Sequence, residues 1–390
     1  MKLVTNIYDL CDNKTVKVVL NNKLRNLILN KIDNKKLNQI AKELNITYST
    51  LWKYINKRYS VPLELFKILN INLPKSIILE SGSKRNKVKL PPLLTEDLAK
   101  IIGAYVADGH LRRRITVWNE NKNATHYEFV LREEYKTNVD SFCRWFNNSF
   151  GTKIVPIKRK NHYEVYVSNK IIFLYLTRIL RLLTGKKVNI IDIPEYIKDS
   201  SKNIQISFLK GLFMFDGGVD YRNGYVTLIS KSERLINSVH QILNNLGMSS
   251  HYCSRKQDKF GRYRILIRDR ESLKKSLILF EKNTEKWHRL HENLYGFKYN
   301  KIQKLDTFLY KLNKYYPKKR KSSINFNDVI LVVNGLDEAN FKDISLKLSR
   351  KKTVVYEFLN KLKRWKILKN KQKGLNKVWM IQNNLPIIRR

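Results

Sequence analysis

The sequence predicts an α+β fold, in which a duplicated αββαββα unit fills the middle of the chain and smaller modules lie at both ends. Two observations carry that reading. Two apolar helices each stop at an Asp-Gly pair, one in Leu94 to His110 (LTEDLAKIIGAYVADGH) and one in Phe208 to Val219 (FLKGLFMFDGGV), so that Asp216 follows Asp108 by 108 residues. After each comes the same order of two strand-like runs, a helix, two more strand-like runs and a closing helix.

The N-terminal stretch, residues 1–75, reads as helical. Leu37, Ile40, Ala41 and Leu44 make one apolar face, Asn45-Ile46-Thr47 a turn, and Thr50, Leu51, Tyr54 and Ile55 a second helix. This order resembles a helix-turn-helix, with Tyr48, Ser49, Thr50, Trp52 and Lys53 at the DNA, and it is also compatible with an ordinary αα-hairpin. Residues 76–93 carry Ser81-Gly82-Ser83, the basic Lys84, Arg85, Lys87 and Lys89, and Pro91-Pro92, which predicts a basic linker without regular structure.

In the first unit, residues 94–192, Thr95 is placed to cap the helix while Glu96 and Asp97 put negative charge in its first turn. Ala99, Gly103 and Ala107 form a small-residue stripe that would let another helix approach closely. Strands are expected at His110–Trp118, Tyr127–Arg132, Thr152–Arg159 and His162–Val167, with helices at Thr137–Phe150 and Lys170–Leu183. In the second unit, residues 193–300, strands are expected at Val219–Tyr221, Tyr225–Ile229, His251–Lys256 and Tyr263–Arg268. Helices are expected there at Glu233–Leu246 and Arg270–Phe280, and Asn223-Gly224 is a hairpin signal. A second basic linker, residues 301–323, leads to a unit over 324–390. Its helices at Phe341–Leu348 and Thr353–Lys363 and its strands around Gly374 resemble a winged helix, with Lys351 and Lys352 leading a recognition helix and Lys369 to Lys377 as the wing.

Composition narrows the partner. The chain has 390 residues, and 43% hydrophobic content supports folded domains rather than disorder. Its 77 Lys and Arg against 33 Asp and Glu leave a net charge of +44, which makes nucleic acid the leading partner, part of the lysine excess being attributable to base composition. No apolar run reaches membrane-spanning length, and no secretory leader is visible in Met1 to Leu20. Cys11, Cys143 and Cys253 match neither a disulfide framework nor a zinc spacing, which suits a reducing cytoplasm.

A carboxylate at a helix C-terminus faces the negative end of the dipole, and two brought together repel, a conflict that a hard divalent cation relieves. One Asp-Gly alone would read as a turn; two, each followed by strand-like sequence, point to a metal site. IIGAYVADG and GLFMFDGGV resemble the paired signature of the LAGLIDADG homing endonucleases, in the single-chain form with two motifs. The resemblance covers roughly Leu94 to Phe280. It implies that Asp108 and Asp216 are catalytic metal ligands, with the carbonyls of Ala107 and Phe215 completing a Mg²⁺ (or Mn²⁺) shell, and that a monomer cuts both strands of a long, asymmetric double-stranded DNA site, leaving short 3′ overhangs.

By the same resemblance, a basic residue in each half assists the reaction. Lys231 matches that position in the second half, whereas Glu134 occupies it in the first. Phe215 departs from the small residue usual before the Asp. The two sheets would present Arg112, Arg113, Arg114, Trp118, Lys158, Arg159, Tyr221, Arg222, Arg255, Lys256, Arg262 and Arg264 to the DNA. Met1 at the start, and no splicing residues at either end, lead us to expect a free-standing protein. Alternatives that the resemblance keeps open are a catalytically weak or inactive DNA-binding regulator and an intron maturase acting on RNA.

Overall fold

The computed structural model describes residues 6–12, 14–32, 36–56, 60–74, 77–81, 86–119, 122–220, 225–254, 261–282, 284–295, 326–334, 336, 339–349, 352–365, 367–373 and 376–381. They form two compact units, Met1–Gly218 with Val226–Glu281, and Val219–Tyr225 with Lys282–Arg390.

The first unit opens with α1 (Asn22–Lys31), α2 (Leu37–Glu43), α3 (Tyr48–Asn56) and α4 (Leu63–Ile68). Beside them β1 (Val16–Val18), β2 (Val61–Pro62), β3 (Ile78–Ser81) and β4 (Asn86–Lys89) form an antiparallel sheet in the order β2-β1-β3-β4. Within the expected linker, β3 and β4 therefore pair antiparallel, while Gly82, Ser83, Lys84 and Arg85 lie outside the described residues. Ile77, Leu79, Val88 and Leu90 are buried and alternate with the exposed Ile78 and Lys89, so a period-two core pattern outweighs the local turn residues. Asn45 takes a left-handed conformation at φ 48°, and Thr47 Oγ1 accepts the Thr50 amide (3.2 Å), which closes α2 and opens α3 within one turn.

The first half comprises α5 (Glu96–Ala107), β5 (His110–Asn119), β6 (Lys122–Glu133), α6 (Lys136–Phe150), β7 (Ile157–Lys158), β8 (Tyr163–Ser168) and α7 (Lys170–Leu174). Its sheet is antiparallel in the order β5-β6-β8-β7. Two expectations shorten here. The strand expected from Thr152 is reduced to Ile157–Lys158, because the Asn147 side chain donates to the Ile154 carbonyl (3.0 Å) and accepts its amide (2.8 Å), and Pro156 has no amide for a ladder. The closing helix widens to a π turn at Tyr175–Ile179 and then stops, with Arg181 at φ 53°.

Arg178 donates to the carbonyls of Asp9 (3.2 Å) and Cys11 (3.0 Å) and pairs with Asp12, which also pairs with Lys170. These contacts tie the N-terminal module to the first half.

The second half repeats the order with α8 (Glu195–Lys198), α9 (Lys202–Phe215), β9 (Gly218–Val219), β10 (Val226–Ser230), α10 (Glu233–Asn245), β11 (His251–Cys253), β12 (Tyr263–Ile267) and α11 (Arg270–Ser276). Strand β12 pairs with both β10 and β11. Residues 221–224 and 255–260, and with them the Asn223-Gly224 hairpin, lie outside the described residues.

The second unit contains α12 (Glu285–Tyr295), α13 (Phe326–Asn334), β13 (Ala339–Asn340), α14 (Phe341–Lys347), α15 (Lys352–Arg364), β14 (Leu368–Lys373) and β15 (Asn376–Ile381), its strands in the order β13-β15-β14. Val329, Ile330, Ile344, Val355, Leu359, Trp365 and Trp379 make one core. Helix α13 was not expected, since its run of β-branched residues (DVILVV) disfavours a helix locally; burial of Val329, Ile330 and Val333 decides otherwise. The second basic linker lies outside the described residues.

Candidate active site and nucleic-acid interface

Helices α5 and α9 cross with their backbones in contact. A Cβ on Gly103 would overlap the Phe208 carbonyl and stand 2.8 Å from the Leu212 nitrogen, and one on Gly211 would overlap the Lys100 carbonyl. Glycine is required at both positions by close approach, since both are helical and neither has a positive φ. Ala99 of the small-residue stripe is fully buried.

The crossing brings the two helix ends to one region. Asp108 and Asp216 are the residues that end α5 and α9, and both are exposed. Gly109 and Gly217 pack back against Tyr105 and Phe213, where a Cβ would stand 2.5 Å from the Tyr105 Cα and 2.5 Å from the Phe213 carbonyl, so each Asp-Gly turn folds tightly onto its own helix.

A buried lysine that the sequence reading did not single out completes the arrangement. Lys187, from the segment joining the halves, is 8% exposed and donates to the last-turn carbonyls of Tyr105 and Val106 (3.0 Å to the latter), with its ammonium 4.1 Å from the Tyr105 ring centroid. Burial drives its pKa down to about 8, against the opposing pull of Asp216 and Asp108. One cation is thus held at the negative end of the α5 dipole within the field of both carboxylates. On α9 a neutral donor has the corresponding place: Asn138 Nδ2 of α6, buried, donates to the Met214 carbonyl (3.1 Å). Neither residue carried a sequence signal, because both act across long sequence separations; only Gly185-Lys186-Lys187, a charged step after a closing helix, hinted at the first.

The oxygen donors here, two carboxylates and the adjacent carbonyls of Ala107 and Phe215, suit a hard divalent ion that keeps several waters. Among the described residues no group of three or more His, Cys, Asp and Glu side chains is placed to hold a metal ion, so a site here rests on the two carboxylates and the backbone carbonyls. His110, on the strand after Asp108, is held below its ordinary pKa by burial and by the charges of Arg112, Lys187 and Arg132.

Phe215 is 6% exposed and meets Phe142 of α6 edge-on at 6.2 Å, so its ring fills the core rather than the helix seam. Lys231 and Glu134 hold like positions in the two halves, both exposed and each one residue before the N-cap, Ser232 for α10 and Tyr135 for α6. Ser232 Oγ also donates to the Ile191 carbonyl (2.5 Å), joining that loop to the segment that carries Lys187.

The expected basic face divides by strand parity. On the open face of the first sheet, Arg112 and Arg114 lie across from Glu128 and His126, and Arg132 lies across from Glu164. Arg113 faces the other way, over the Tyr127 ring (5.9 Å) beside α7, and Lys158 is paired with Tyr163 on that same side, so neither belongs to the open face as expected. Arg159 pairs with Glu164 (3.1 Å). In the second sheet Arg264 lies across from Ile229 and Cys253, with Arg262 just before the strand. Tyr221, Arg222, Arg255, Lys256 and Lys351 lie outside the described residues, as do the side chains of Trp118 and Lys352.

On α3, Tyr48, Ser49, Trp52 and Lys53 are all exposed on one face, while Leu51 and Ile55 are buried on the other. In the second unit Tyr356 of α15 is half exposed, and Lys369 and Lys371 of β14 are exposed. Among the described residues no helix is long and apolar enough to cross a membrane.

Residues 203–277 match the family model of the LAGLIDADG-like domain, the family that the paired motifs resemble. Over 167 residues it is 31% identical to a DNA polymerase of Thermococcus kodakarensis, covering 42% of this chain and 9% of the polymerase. Over 224 residues it is 23% identical to glutamine–fructose-6-phosphate aminotransferase of Methanocaldococcus jannaschii, covering 56% of this chain and 19% of that protein. The chain thus spans a small fraction of these relatives' length.

Among solved structures, the homing endonuclease I-DmoI in complex with DNA and Mn is 21% identical with a TM-score of 0.37, covering 49% of this chain and 99% of that one. Full-length WhiA from Thermatoga maritima is 13% identical with a TM-score of 0.33, covering 69% of this chain and 89% of that one.

Proposed function

We propose that this chain is a site-specific DNA endonuclease that hydrolyses phosphodiester bonds with a divalent metal held by Asp108 and Asp216. The observation that carries the reading is the convergence of two exposed aspartates and one buried lysine at the ends of two helices that cross backbone to backbone. A bound Mg²⁺ or Mn²⁺ would neutralise charge on the scissile phosphate and lower the pKa of an attacking water. The chain's own residues supply the rest. Asp108 and Asp216, with the carbonyls of Ala107 and Phe215, would hold the ion, and Lys187 adds a fixed positive charge where negative charge grows in the transition state. Lys231 serves the second half, with no lysine at the matching place in the first, which favours unequal rates on the two strands.

The polymerase and the aminotransferase that contain the similar segment differ in activity, which supports reading it as a module with a function of its own. The partner is double-stranded DNA, read by the open faces of the two sheets. The N-terminal helix pair and the C-terminal winged-helix-like unit extend the contact, so the site is long and asymmetric and the protein works as a monomer. A second reading, a DNA-binding regulator without cleavage, is favoured by Glu134 at the place in the first half that Lys231 holds in the second, and by the two terminal modules.

Asp108→Asn and Asp216→Asn separate the two readings. For the endonuclease, each lowers Mg²⁺-dependent cleavage about a thousandfold while the dissociation constant in Ca²⁺ buffer changes little. Equal activity of parent and variants would remove both residues from the chemistry. For the terminal unit, Lys369→Ser/Lys371→Ser is expected to flatten the plot of log affinity against log salt by up to about 1.8, two phosphate contacts being lost. An unchanged slope would take β14 out of the interface.

A further inference from the structure

The basic face of the first sheet has carboxylates inside it. Glu128 is fully buried beneath Arg112 and Arg114: Arg112 Nε donates to its Oε2, Arg114 Nη2 stands 3.7 Å from its Oε1, and Tyr166 donates to that oxygen (2.7 Å). Four residues along the same strand the pattern repeats. Arg132 Nε donates to Glu164 Oε2 (3.0 Å) and Arg159 Nη2 to Oε1 (3.1 Å), and the Glu164 side chain is 10% exposed. All four arginine side chains keep between 42% and 65% exposure.

Burial alone would raise both glutamates, but their hydrogen bonds and the arginine charges hold them below the ordinary carboxyl range, so each stays ionised. A surface built only to attract phosphate gains nothing from two buried negative charges; a surface built to aim guanidinium groups does.

Taking the DNA-binding reading above as given, we propose that Glu128 and Glu164 are positioning residues that fix Arg112 and Arg132 for recognition of guanine. Both arginines bind their glutamate through Nε, so the edge turned outward is the pair of terminal amines, which can donate together to guanine O6 and N7. Arg112 lies across from Glu128 on the neighbouring β5, so it and Arg132 are offset by four residues along the sheet, about 13 Å, and by one strand, about 5 Å, which corresponds to roughly four base pairs of duplex. The half-site read by the first sheet therefore has two guanine preferences about four base pairs apart.

The test is selection from a randomised duplex library with Ca²⁺, sequencing the DNA retained by the parent protein and by Glu128→Gln and Glu164→Gln. The parent should show both guanine positions. Each variant should lose about tenfold of its discrimination at one position and keep the other, with a salt slope steeper by about one as the released arginine turns to phosphate. In an Arg112→Ala/Arg114→Ala background, Glu128→Gln should have no further effect on selection; a structural role alone would leave the position-by-position pattern intact and lower affinity evenly. Unaltered guanine preferences in both glutamine variants would overturn the proposal, whereas a parent protein that retains no duplex at all would overturn the DNA-binding reading itself.

Discussion

Gly103→Leu is expected to destabilise the first unit by about 3 kcal/mol or more, read as a lowered denaturation midpoint. The added side chain would start inside the contact distance of the Phe208 carbonyl, a backbone atom that cannot rotate away. In an exposed helix the same replacement would stabilise, since leucine has the higher helix propensity by about 0.8 kcal/mol, so the sign of the effect reports the crossing. Gly211→Leu meets the Lys100 carbonyl and should behave alike. Either variant that stayed folded would hold the helices apart, and cleavage should fall further than stability does. A midpoint equal to that of the parent would show that α5 and α9 do not cross at these residues.

Lys187→Met is expected to leave the fold intact and reduce cleavage about tenfold, as a nearby charge is lost that donates to helix carbonyls rather than to the reacting phosphate. Methionine retains the apolar stem of the lysine against the Tyr105 ring, and the carbonyls of Tyr105 and Val106 lose a charged donor. Because the two aspartates lose a nearby cation at the same time, half-saturation by Mg²⁺ should move little or tighten, which separates Lys187 from the metal ligands. A large loss of metal affinity with normal turnover at saturation would contradict this role. Lys231→Met, by comparison, should slow one strand more than the other, visible as accumulated nicked product on a supercoiled substrate.

Much of this arrangement was legible in the sequence because it is written in short-range signals. The helix start at Thr95, the Asp-Gly ends and the repeated order of elements are local patterns, and they survive folding almost unchanged. Residues 76–93 were misread for the converse reason. Their turn-forming residues are local, whereas the burial of Leu79 against β1 and of Val88 beside it depends on a strand more than sixty residues away. The same limit hid Lys187 and Asn138, whose partners lie 81 and 76 residues off.

Arginines were legible as a basic face, but not their division by parity, which put Arg113 behind the sheet, nor the glutamates beneath Arg112 and Arg132. An acidic residue in a basic strand looks like charge dilution until its burial is known. Phe215 shows the reverse: the sequence marked it as a departure from the small residue expected before the Asp, and the edge-on contact of its ring with Phe142 accommodates it in the core.

The most direct measurement is cleavage of a randomised double-stranded DNA library with Mg²⁺, with the Asp108→Asn/Asp216→Asn double variant run in parallel and all new ends sequenced. A site-specific endonuclease predicts discrete ends clustered around one long sequence, produced by the parent and absent from the variant. Ends absent from both, together with sequence-selective retention of the same library, would contradict the endonuclease and establish a binding protein in its place.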